Sequence, residues 1–183
     1  MPAVVLSDIG SCGLDLLICG YNPGAKSAAK GHYFSNQGNR FWRILAETGL
    51  TPNKLEPTTD HTLPTYGIGL TDLLKHSIHG HCMGPTEGDR KQLRELILDW
   101  QPTVVAFLGR RPASGFLKAR KLGWGYLGLH VGPTEIFMVP DPSGGNGHFD
   151  RLRVHWCELA DRVCSSHQKT RIGAGHVTQS GRW

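Results

Sequence analysis

Three short apolar runs, each of β-strand length, do most to limit what this chain can become: residues 14–19, 103–109 and 135–139. The second, Thr103-Val104-Val105-Ala106-Phe107-Leu108-Gly109, is continuously apolar and largely β-branched. That is the pattern of a strand covered on both faces in a parallel sheet. Between the runs lie segments with helical spacing. Residues 39–49 repeat apolar side chains at that spacing, with Asn39 placed to cap the start and Gly49 to end it. Residues 89–100 carry Leu93, Leu96, Ile97 and Trp100 on one face before Pro102 breaks the pattern. Residues 149–164 read as a closing helix, and residues 51–66, rich in Pro and Thr, as a loop. Strands alternating with helices predict an α/β fold with a central, mostly parallel sheet flanked by helices.

With 183 residues and 39% hydrophobic content, the chain suits a single domain, here placed over residues 1–164. The polar segment 165–183 has no periodicity and is expected to be a mobile tail. No apolar run is long enough to span a bilayer, and no basic stretch leads into an apolar segment at the N-terminus. A soluble, cytoplasmic protein without a membrane partner is therefore expected. The formal charge of +5 favours polyanionic partners, although Lys and Arg are spread along the chain rather than gathered in one stripe. The five cysteines, Cys12, Cys19, Cys82, Cys157 and Cys164, are odd in number and contain no C-x-x-C pair. They suggest neither a disulfide framework nor a zinc site, and their spacing does not support an iron–sulfur cluster. No metal or cofactor is expected.

In open α/β sheets, ligands bind beyond the carboxyl ends of the strands. Two Gly/Pro-rich motifs fall at such ends: Gly20-Tyr21-Asn22-Pro23-Gly24 and Asp141-Pro142-Ser143-Gly144-Gly145-Asn146. Turns of this kind bring backbone N–H groups close to a ligand, and the same composition also serves plain turns. Three further motifs lie between them in order: Gly31-His32-Tyr33-Phe34, Asn39-Arg40-Phe41-Trp42 and Gly67-Ile68-Gly69-Leu70-Thr71-Asp72-Leu73. Together, over about residues 14–164, they resemble the mismatch-specific uracil-DNA glycosylases, the group that includes bacterial mismatch uracil glycosylase and eukaryotic thymine-DNA glycosylase.

The resemblance implies a uracil-DNA glycosylase-like three-layer fold in a monomeric DNA repair enzyme. Such an enzyme flips uracil out of double-stranded DNA, G·U mismatches first and other uracil contexts or damaged pyrimidines next, and hydrolyses the N-glycosidic bond to leave an abasic site. It implies Asn22 as the residue that positions the attacking water, a task a neutral amide performs without being able to accept the proton. The base pocket would comprise Gly20, Tyr21, Phe34, Ser35 and Asn36, with the flipped base stacked on Phe34. Backbone N–H groups near Tyr21 and the Ser143 turn would meet the negative charge that develops on the departing base. DNA contact and wedging would fall to Ser143, Gly144, Gly145, Asn146, His148, Lys26 and Ser27. Lys30, Arg40, Lys75, Arg110, Arg111 and Arg151 are further cationic candidates for phosphate contact. The family's nucleophilic lysine is missing, so no strand cleavage is expected.

The chain departs from the family pattern at several points. Gly145 stands where a bulky apolar residue usually fills the gap left by the flipped base, so Asn146 or His148 would have to reach in. Asp141 replaces an Asn. Tyr21 replaces a smaller aliphatic residue and would either crowd the 5-methyl of thymine or simply pack. Asp72, read as part of a loop, would accept the water proton or else cap a short helix through Leu73-Leu74-Lys75. Two alternatives stand beside the leading reading: a uracil glycosylase of broader range, and a lesion- or abasic-site-binding module without catalysis, which Gly145 would suit. A small-molecule nucleotide-binding domain would need a G-x-G-x-x-G or Walker-type loop, and neither is present.

Overall fold

Successive side chains of a strand point to opposite faces, so a continuous apolar run must find an apolar layer on each side. Both layers form here. The computed structural model describes residues 6–75 and 84–174, with side chains through residue 165; Cys82 and residues 175–183 lie outside the described residues. The elements run β1 (Leu16–Gly20), α1 (Ala25–Lys30), α2 (Phe41–Glu47), a 3-10 segment (Pro57–Tyr66), β2 (Ile68–Asp72), α3 (Glu87–Trp100), β3 (Val104–Leu108), α4 (Arg110–Leu117), β4 (Gly125–Val131), β5 (Thr134–Val139), α5 (Phe149–Leu152) and α6 (Val154–Ala174). The strands form one sheet in the order β2-β1-β3-β5-β4, parallel except for β4 at one edge.

Leu16, Ile18, Ile68, Leu70, Val104, Ala106, Leu108, Phe137 and Val139 face one layer, where Phe41, Trp42, Ile44 and Leu45 of α2 meet Trp156 and Leu159 of α6. Leu17, Cys19, Val105, Phe107, Ile136 and Met138 face the other, against Leu93 and Ile97 of α3 and Ala113 and Phe116 of α4. The result is the three-layer α/β arrangement expected from the alternating pattern. Burial of each large apolar side chain contributes about 1.5–3 kcal/mol against the entropy of ordering the chain.

Local chemistry explains the helix boundaries. The Asn39 carboxamide oxygen accepts the Phe41 N–H at 2.9 Å, and Gly49, at φ +75°, lets the chain leave after α2. Thr86 and Asp89 form a reciprocal capping box at the start of α3.

Four readings are corrected. Ile68–Asp72, taken as loop, is the edge strand β2, because two glycines in Gly67-Ile68-Gly69 disguise a fully buried run. The supposed loop over 51–66 contains the 3-10 segment Pro57–Tyr66. The closing helix is two helices, α5 and α6, and the second continues to Ala174, beyond the boundary set at residue 164. The strand β4 had no counterpart in the sequence reading, because Tyr126, Leu129 and His130 are exposed and the pattern lacks a buried face. Among the described residues, no helix is long and apolar enough to cross a membrane.

Candidate active site

All the parallel strands end at the same edge of the sheet, so the turns after β1, β2, β3 and β5 gather there. The turns after β1 and β5 stand two strand spacings apart, about 10 Å. Residues 31–40 tie the two sides together. At one end the Ser35 N–H donates to Ser27 Oγ in α1 at 3.1 Å; at the other the Arg40 N–H donates to the Pro142 carbonyl at 2.9 Å.

Asp72, the last residue of β2, is paired in register with Gly20, the last of β1. A β-carbon on Gly20 would overlap the Asp72 carboxylate, so glycine is required where the strand meets the acid. Strand alternation puts Gly20 and Asp72 on the face that carries α2. Asp72 is only 5% exposed. Burial pushes its pKa from 3.8 to about 7; Lys75 pulls it back and Asp8 pushes it further up. The acid therefore changes protonation state near neutral pH.

Phe34 lies on the same side. It adopts φ +51°, a left-handed conformation that costs a non-glycine residue about 1–2 kcal/mol. Its neighbours hold it there. Buried Asp60 accepts the Tyr33 N–H at 2.9 Å and pairs with His32 Nδ1 at 3.2 Å. The Ser35 hydroxyl donates to the His32 carbonyl at 2.8 Å. The strained turn sets the Phe34 ring on Phe41, with centroids 3.8 Å apart and planes 23° from parallel. Tyr33 is buried beside it, and its phenol is driven upward in pKa first by burial and then by Asp72. The Tyr33 hydroxyl and the Trp42 indole N–H meet no hydrogen-bond partner among the described residues.

The structure sorts the expected site residues into groups. Gly20, Asp72 and Phe34 fall on one side of the sheet edge, and half-buried Asn22 follows two residues after Gly20. Tyr21 does not join them: its ring packs on the opposite layer, under the Arg111 guanidinium at 4.0 Å. Ser35 and Ser27 are buried, and their hydrogen bonds hold the turn to α1 and to the His32 carbonyl. Asn36 is exposed, as are Lys26 and Lys30.

In the turn after β5, the Asn146 side chain bridges the Asp141 carbonyl and the His148 N–H, at 2.8 and 3.1 Å, so it is anchored rather than projecting. Asp141 closes an Asx-type bond to the Ser143 N–H at 2.8 Å. Gly144, Gly145 and His148 are exposed.

Three cations expected at phosphates have partners within the protein. Lys75 is buried against Asp8 and Thr71, Arg40 bonds the Ser143 turn, and Arg110 donates to the Leu122 carbonyl while lying over Trp124. Arg111 and Arg151 are exposed.

Sequence reasoning passed over Asp60 and Asp8, because each lies far along the chain from the group it supports. Asp8 also lines a cavity of about 320 Å³ between β2 and α3, together with Thr71, Asp72 and Lys75. No trio of His, Cys, Asp or Glu among the described residues is placed to hold a metal ion.

Fold and candidate site together describe an α/β domain whose parallel strands end at one edge, with a buried acid and the Phe34 ring on the same side of the sheet. The sequence profile of the Uracil DNA glycosylase superfamily matches residues 7–160, and the chain belongs to that superfamily. A solution NMR structure from Methanosarcina acetivorans, described as a candidate uracil DNA glycosylase, superposes with a TM-score of 0.65 over 89% of this chain and 99% of that one. At 19% identity that likeness speaks for the fold.

Proposed function

We propose that the protein removes uracil from DNA by hydrolysing the bond between N1 of the base and C1′ of the sugar, taking G·U mismatches first. The observation that carries this reading is the buried Asp72 carboxyl at the sheet edge, with a pKa near 7 and sharing its side of the sheet with the Phe34 shelf.

Uracil turned out of the helix stacks on the open face of Phe34. Asn22 accepts one hydrogen of a water molecule and aims its oxygen at C1′. As the glycosidic bond lengthens, positive charge grows on the sugar and negative charge on the base. Ionised Asp72 favours the first, and backbone N–H groups of the Tyr21 and Ser143 turns favour the second. The water oxygen bonds to C1′, its proton passes to Asp72, and the base departs with the bonding electron pair. Lys75 is committed to Asp8 and Thr71, so no amine attacks the sugar and the product is an intact strand with an abasic site.

Single-turnover base release from matched G·U, A·U, G·T and single-stranded substrates tests the reading. Uracil release, fastest from G·U, is expected. Retarded migration of uracil duplexes with no free base would instead make the protein a lesion-binding module.

A further inference from the structure

The turn that would enter the DNA is glycine-rich and has no bulky plug, yet it is bonded at both of its ends, Ser143 and Asn146. Gly144, Gly145 and Gly147 make such a segment costly to order. The bonds within it, from Asp141 to Ser143 and from Asn146 to Asp141 and His148, give it shape but do not attach it to the body of the protein. Arg40 does. Its backbone N–H donates to the Pro142 carbonyl at 2.9 Å, and its Nη1 reaches the Ser143 carbonyl at 3.2 Å and the Asn146 carbonyl at 3.4 Å. The guanidinium also lies over the Phe149 ring at 5.1 Å. Arg40 is half-buried rather than presented to solvent. Beside it, the backbones of residues 38 and 144 approach so closely that a β-carbon on Gly144 would meet the Gly38 carbonyl oxygen at 2.7 Å.

We propose that Arg40 is a positioning residue for DNA opening, fixing the Ser143–Asn146 turn so that a rigid backbone bracket separates the strands where this chain lacks a bulky wedge. The inference rests on the glycosylase reading above. Both carbonyls are met by one nitrogen, Nη1, which the rest of the planar guanidinium holds in place by lying over the Phe149 ring; an ammonium on a flexible stem has the donors but no plane to stack and so no such hold. A residue serving DNA phosphate would behave in the opposite way, because there charge matters more than shape.

The test compares Arg40→Met, Arg40→Lys and Gly144→Ala with the unaltered protein. Each is given one G·U duplex carrying 2-aminopurine beside the uracil and the same uracil strand alone. Fluorescence reports opening, and single-turnover release reports chemistry. All three variants should lower the duplex-to-single-strand ratio of release rates at least tenfold and blunt the 2-aminopurine signal on the duplex. Near-normal duplex activity in Arg40→Lys would overturn the proposal in favour of a phosphate contact. Equal losses on both substrates would overturn it in favour of a role in chemistry or general folding. Should the Arg40 variants fail to fold, an unchanged ratio in Gly144→Ala would overturn it as well. If the unaltered protein opens the duplex but releases no base, the glycosylase reading fails while fluorescence still scores Arg40; if it does neither, both fall.

Discussion

The proton affinity of Asp72 comes from where it sits: interior burial raises it, and Lys75 and Asp8 adjust it in opposite directions. Because the folded value of about 7 lies above the usual 3.8, the folded state favours the protonated acid. Its contribution to stability is full below about pH 4 and is lost as the pH rises through about 7, a change of up to roughly 4 kcal/mol. Asp72→Asn, which cannot ionise, should therefore match the unaltered protein in denaturant midpoint at pH 4 and exceed it at pH 8. An equal midpoint at pH 8 would contradict the burial argument. Lys75→Met removes the cation that lowers the Asp72 pKa, so the midpoint of its rate–pH curve should move to higher pH. Movement to lower pH would mean that Lys75 does not act on Asp72 as described.

At the scale of elements, the Phe34 shelf is a strained turn whose geometry is imposed from outside by the 3-10 segment and α1. Asp60→Ala leaves the buried Tyr33 N–H without its acceptor, at a cost of about 2 kcal/mol, and should lower Tm by several degrees. Phe34→Ala removes a ring packed on Phe41, so it should also lower Tm by a few degrees, and it should slow uracil release about 5- to 100-fold through lost stacking. Thermal scans and single-turnover assays on both variants separate support of the turn from use of the shelf. The strands β1, β3 and β5 were legible in the sequence because they are buried on both faces and read as unbroken apolar runs. The strand β2 was masked by its glycines, one of which makes room for Asp15 and the other for the Ile9 carbonyl. Exposed β4 offered no apolar periodicity at all. Among the candidate site residues, Asn22, Phe34 and Asp72 stand out by motif. The supports from Asp60, Asp8 and Arg40 depend on contacts across tens of residues or more, which no local pattern records.

At the scale of the whole molecule, the charge of +5 overstates the cations available to DNA. Arg40, Lys75 and, although exposed, Arg110 bond groups of the fold, whereas Lys26, Lys30, Arg151 and Arg111, the last also stacked on Tyr21, present exposed side chains. If those four meet phosphates, the logarithm of affinity should fall against the logarithm of salt concentration with a slope of about −3 to −4. A slope near −6 in a binding titration would mean that the engaged arginines and lysine are released on binding. The sheet supplies the frame: its parallel strands bring Asp72, Asn22 and the Asp141–Asn146 turn to one edge, with Phe34 on one side of it.

The pH dependence of single-turnover uracil release, measured for the unaltered protein and for Asp72→Asn, addresses the central claim most directly. The account predicts a rate that rises about tenfold per pH unit up to pH 7 and then levels, and a low, flat profile in the variant. Profiles of equal height and shape for the two proteins would remove Asp72 from the chemistry.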